Sequence, residues 1–283
     1  MPAPLLFVVS GVTLYVGAAL AVGLFDELPP ATVAWLRLAV AAVVLVLWGR
    51  PWRDRALWSR RALLVTVAFG LVLGLMNASF YVAIDHLPLG TAVALEFTGP
   101  VAVAAITGKG WRDRVAIAVA AAGVVLLAGV TLEGTPDAVV GLVAVGAAAA
   151  CWAGYILLGR RVATAASSGV AGLSIAMAAG ALLLGPFLAG AAGRVLTDAR
   201  LAALVLGVAV FSSVIPYAID QVVLRRLRPA TFAVLLALLP ATATLVGAVT
   251  LRQVPHGWEV VGLLLVSGAI ALTARADEEP PPA

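Results

Sequence analysis

Glu96 and Pro100 stand four residues apart in the apolar run 88–107, and that spacing is the first chemical signal in the chain. Proline has no N–H, so Pro100 leaves the backbone carbonyl of Glu96 without its helical partner. A carboxylate and a free carbonyl then share one level of a helix, roughly 12 Å from its start at about 1.5 Å per residue. Oxygens so arranged suit a cation, either an ammonium group or a proton. Pro240 repeats the pattern at an offset of 140, with Leu236 in the place of Glu96.

Arg37 in 31–49 and Asp220 near the end of 201–223 are further ionisable candidates inside apolar runs. Such groups are costly in lipid and point to function by default. Arg37 lies about 9 Å into its run by the same helical rise, a depth comparable to that of Glu96. The two could form a static structural bridge, or a pair that opens to receive the ammonium and carboxylate of a zwitterion. Both alternatives stand. Asp220, close to Arg225 and Arg226, reads as interfacial. Polar and aromatic residues on the same runs could complete a site: Asn77, Tyr81, Thr98, Trp152, Tyr155, Ser213 and Tyr217, with Ser212, Thr242 and Thr244 beside them. Taken singly, each is more often a packing group or an anchor than a ligand. Pro100, Pro216 and Pro240 mark the helix breaks.

Enzyme signatures are missing. The chain holds no HExxH, no GxSxG and no phosphate-cradling GxxxxGK[ST], so direct ATP drive is not expected. Its two histidines, His86 and His256, fall between apolar runs, and Cys151 is the only cysteine. No metal and no cofactor are expected.

The elements that must position these groups follow from composition. Of 283 residues, 63% are hydrophobic and 11% charged, against roughly a quarter charged in soluble domains. Too little charge remains to cover a soluble surface, which excludes cytosolic enzymes and nucleic-acid binders. Lipid must be the solvent. Ten apolar segments can be marked: 5–24, 31–49, 62–84, 88–107, 115–132, 139–158, 170–190, 201–223, 231–250 and 257–274. Fourteen basic residues occupy every second connection and the C-terminal tail, while the alternate connections hold only Arg194, Arg200 and Arg252. Lys and Arg mark the cytoplasmic side, so both termini are expected there.

The chain also reads as a repeat. Thr91 superposes on Thr231 and Pro100 on Pro240, and Tyr81-Val-Ala-Ile-Asp85 resembles Tyr217-Ala-Ile-Asp220. The predicted fold is an all-α polytopic membrane protein of ten transmembrane helices in two inverted five-helix repeats, 1–135 and 136–276. A disordered acidic tail, 277–283, follows. An odd number of spans inverts the second half, an arrangement whose binding site lies near mid-membrane between the repeats.

The run Pro88-Leu-Gly-Thr-Ala-Val-Ala-Leu-Glu-Phe-Thr-Gly-Pro100 resembles the threonine/homoserine exporter branch of the EamA group, in the drug/metabolite transporter superfamily. Ala150-Cys-Trp-Ala-Gly-Tyr-Ile-Leu157, Pro216-Tyr217, and Arg37 with the Arg50-Pro-Trp-Arg53 loop are similar as well. The resemblance implies two EamA repeats and proton-driven export of small amino acids from the cell through the plasma (inner) membrane. It departs at Leu239, where that branch tends to have Glu, and at Arg252-Gln253, where Gly-Glu is common. The expected partners are a small-molecule substrate, protons and lipid, with monomer or homodimer left open. On the same scaffold the alternatives are an exporter of drugs or nucleotide sugars, or a passive facilitator or channel.

Overall fold

The computed structural model describes residues 3–107, 110–134, 137–165, 169–216, 219 and 235–276. Tyr217, Asp220, Thr231 and the tail 277–283 lie outside the described residues. Among those described, all regular structure is helical. Six helices are long and apolar enough to cross a membrane: α1 (Ala3–Val22), α2 (Pro30–Gly49), α3 (Arg60–His86), α6 (Trp111–Gly134), α7 (Ala138–Ala165) and α8 (Gly169–Leu188). Shorter helices fill the remaining apolar runs: α4 (Leu89–Glu96), α5 (Thr98–Thr107), α10 (Ala199–Ala209), α11 (Leu239–Thr250) and α12 (Trp258–Ala276), with the small α9 (Gly193–Thr197) before α10. The chain is a polytopic membrane protein.

Local chemistry sets the helix ends. Pro30 opens α2, where its fixed φ suits the first turn and its missing N–H costs nothing. Ser59 caps α3 by accepting from the Ala62 N–H, and Asp198 caps α10 by accepting from the N–H groups of Arg200 and Leu201. Arg50 ends α2 in the left-handed region, at φ 43°. A side chain there costs about 1–2 kcal/mol that glycine avoids. Arg50→Gly should therefore raise the thermal midpoint in detergent, and an unchanged or lower midpoint would show that the guanidinium contributes more than the strain costs.

The run 88–107 does not form one helix. It breaks at Phe97, between α4 and α5, three residues before Pro100. The run leading to Pro240 breaks at 237–238, immediately before α11. Proline removes one ladder bond in each case, and the preceding residues relax into a turn.

Packing pairs distant segments. α2 and α3 both pack on α8, α3 also packs on α7, and α6 packs on α12. α1 lies against α10, α11 and the turn at Val210–Val214, while α4 lies against α7 and α11. Gly70 and Gly74 carry the GxxxG spacing, and the structure spends it inside the chain. A Cβ on Gly70 would strike the Ala176 carbonyl, and one on Gly74 would come within 2.5 Å of Leu184 Cδ1.

Candidate functional site

Arg37 on α2 reaches inward, and the residue is only 8% exposed. Its guanidinium carbon stands 5.0 Å from the centroid of the Tyr81 ring on α3. One nitrogen, Nη1, donates to the backbone carbonyl of Ser212 at 3.3 Å. That carbonyl lies in a π-turn, Val210–Val214, where the i→i+5 pattern disturbs the ordinary helical ladder. A charge-assisted N–H···O bond is normally about 2.7–2.9 Å, so this one is loose. Nε has no partner, and neither has the buried Tyr81 hydroxyl. A guanidinium has five N–H donors. Most of this one's capacity is unspent.

Glu96 is the last residue of α4 and is buried. The free carbonyls at a helix C-terminus carry partial negative charge, which favours a cation and disfavours a bare carboxylate. Among the described residues no hydrogen bond or ion pair reaches the Glu96 carboxylate. It lies within electrostatic reach of Arg37, of the Tyr15 hydroxyl on α1 and of the Cys151 thiol on α7. Arg37 and Glu96 are thus neighbours without contact, and no ion pair joins them within 4.0 Å. The static bridge is not formed.

The remaining candidates divide. Trp152 packs edge-on against Phe97, with ring centroids 4.6 Å apart, and so lines the break beside Glu96. Ser213 is buried in the π-turn next to the carbonyl that holds Arg37. Tyr155 stacks on Phe69 at 4.7 Å in a separate apolar cluster with Ala176 and Leu173. The Asn77 amide donates to the Leu73 carbonyl at 2.7 Å, which leaves its side-chain oxygen for other use. Thr98 donates to Leu95 O at 2.7 Å, Thr242 to Leu238 O at 2.9 Å and Thr244 to Pro240 O at 2.8 Å. The Thr98 hydroxyl sits at the end of α4, while those of Thr242 and Thr244 bond back along the first turns of α11. Sequence gives no sign of Tyr15, whose type and surroundings are those of any core aromatic, nor of the π-turn, which has no motif.

The chain is 35% identical over 266 residues to the threonine/homoserine exporter RhtA of Escherichia coli (strain K12), covering 93% of this chain and 89% of that one. It is 32% identical over 265 residues to the protein of the same name from Salmonella typhimurium (strain LT2), covering 93% and 88%. Residues 139–275 match the EamA-like transporter family. The chain belongs to the EamA-like transporter family. A solved crystal structure superposes with a TM-score of 0.62 at 21% identity, covering 98% of this chain and 99% of that one, and shares the fold. The family is one of transporters.

Proposed function

We propose that the chain is a secondary active transporter that exports small amino acids of the threonine/homoserine kind by alternating access, coupled to protons. The observation that carries this is the unmatched pair: a buried guanidinium with idle donors and a buried carboxylate with no partner among the described residues, close but not touching. Each is costly to bury alone. A zwitterion satisfies both at once. Its carboxylate takes the free edge of Arg37 and the Tyr81 hydroxyl, and its ammonium meets Glu96 and the open carbonyls at the end of α4. A proton arriving on Glu96 from outside displaces the ammonium and returns inward on the empty site. The names of the two bacterial relatives agree with this substrate class.

The architecture we infer is ten membrane-crossing helices in two inverted repeats, 1–135 and 136–276, with both termini in the cytoplasm. Two observations support it. The breaks at Phe97 and at 237–238 stand at the repeat offset. The packing also survives exchange of the halves: α1 with α11 answers α7 with α4, and α3 with α7 answers α10 with α1. Half-helices in matching positions of two repeats are characteristic of transport sites. The charge bias between alternate connections supports the orientation.

Counterflow in proteoliposomes tests the function. Labelled threonine inside should exchange for external threonine and homoserine, and net efflux should answer an imposed pH difference. Competition by drugs or nucleotide sugars, with none by zwitterionic amino acids, would move the substrate class. Failure to accumulate against a gradient would make the chain a facilitator. Arg37→Lys keeps the charge but loses the planar fork. It should raise the KM for threonine about tenfold, the effect of roughly one lost hydrogen bond to a charged group. An unchanged KM would remove Arg37 from the site.

A further inference from the structure

The first turn of α4 is held by residues 164 and 168 positions away. Pro88, which precedes the helix, offers no side-chain cap, so the leading N–H groups need acceptors from elsewhere. The Leu89 N–H donates to Gln253 Oε1 at 2.9 Å, and the Thr91 hydroxyl donates to Glu259 Oε1 at 2.8 Å. The second oxygen of Glu259 accepts from the His256 N–H at 3.3 Å, and the Gln253 N–H donates to the Gly247 carbonyl at 3.1 Å. Gly90 lies so near α11 that a Cβ would fall 2.9 Å from Thr244 Cα. Leu89 and Thr91 are fully buried by this clasp.

We propose that the clasp of Gln253 and Glu259 on the start of α4 is the outer gate of the transporter, closed in this structure and obliged to part in every cycle. The inference rests on the two-repeat, cytoplasmic-termini reading above, which sets the connections 87–88 and 251–257 on the external side. Three features make the clasp a gate and not only a brace. Its partners come from opposite halves of the chain, which alternating access must move apart. The Leu89 N–H and the Thr91 hydroxyl donate to the half-buried side chains of Gln253 and Glu259, acceptors that water can replace when the halves separate. The loop that carries Gln253 is bounded by two left-handed residues, Arg252 at φ 57° and Gly257 at φ 47°, has no regular structure between them, and leads directly into the first turn of α12, which carries Glu259.

The clasp is also mechanically joined to the site. α4 runs from Leu89 to Glu96 as one rigid piece about 10 Å long. Movement at its first turn is delivered to Glu96 at its last. A second tie crosses between the halves in the neighbouring external connections: Glu27 pairs with Arg200 at 2.8 Å, and its backbone carbonyl accepts from Arg194. That pair is more exposed, so solvent weakens it and the part-buried clasp is the stronger latch.

Cys151, the only cysteine, adjoins Trp152, whose ring packs on Phe97 next to Glu96, and so reports access to the site without an introduced cysteine. The test is the rate at which a membrane-impermeant maleimide, applied outside intact cells without substrate, modifies Cys151. Thr91→Val and Gln253→Leu each remove one bond of the clasp. Each should speed labelling about tenfold, the effect of one hydrogen bond on a two-state equilibrium. Thr91→Ser keeps the hydroxyl and should label like the wild type, which separates the gate from general loosening. Unchanged labelling in both bond-breaking variants, or equal acceleration in Thr91→Ser, would overturn the gate. Labelling needs no transported molecule, so an incorrect substrate class would show in counterflow alone and leave this result standing.

Discussion

Glu96→Gln should abolish net amino-acid export while leaving the protein folded and in the membrane. The substitution keeps shape and volume and removes only the charge. A hydrogen bond to a charged group is worth about 1.5–3 kcal/mol. Losing it on the substrate ammonium lowers transport efficiency by roughly ten- to 150-fold. The loss goes further if Glu96 also carries the coupling proton, because the amide cannot exchange one, and the response to an imposed pH difference should vanish together with the flux. Glu96→Asp retains the charge but withdraws it by one methylene, and should be intermediate in rate with its pH response intact. Proteoliposome flux with and without a pH gradient measures both, and a matched gel-filtration profile confirms folding. Equal rates and equal pH dependence in wild type and Glu96→Gln would end the role assigned to this residue.

Gly70→Leu should prevent stable assembly of the helices around Arg37. In lipid the apolar effect does not draw helices together, and close van der Waals packing takes its place. α3 and α8 approach through Gly70, Ala176 and Gly180: a Cβ at either glycine would meet backbone atoms of the other helix. Backbone cannot swing aside as a side chain can, so the two helices must separate. Overpacking costs about 1–3 kcal/mol even where side chains can adjust, and the leucine should exceed that range. A Cβ added at Gly146 on α7 would meet nothing within 4 Å, so Gly146→Ala should instead stabilise by about 0.5–1 kcal/mol. Thermal unfolding in detergent compares the two directly. A Gly70→Leu protein that melts like the wild type would show that the contact between α3 and α8 is not tight in the membrane.

Much of the frame is legible along the chain because its causes are local. The six long helices follow the apolar runs, since each needs only enough consecutive apolar residues to exclude unsatisfied backbone from lipid. The break in 88–107 follows from the missing N–H of Pro100, although the turn falls at Phe97, three residues earlier. Arg37, Glu96 and Tyr81 stand out as polar groups where polarity is costly. The hydroxyls of Thr98, Thr242 and Thr244 each bond a carbonyl three or four positions back, an outcome set by rotamers and local carbonyl supply that sequence does not reveal.

Sequence by itself determined that this chain is a helical membrane protein, where its apolar segments lie, which helix must break and which charges are stranded within it. Those follow from solvent, proline geometry and the cost of burying charge, all of which act residue by residue. Only the tertiary structure decided the partners. Arg37 finds a carbonyl 175 residues away in place of the nearby carboxylate, and Leu89 and Thr91 are held by Gln253 and Glu259. Those contacts depend on how each helix is rotated and shifted against its neighbours. Small-residue contacts such as Gly70 on Ala176 set that rotation across the whole fold, and no run of adjacent residues encodes it.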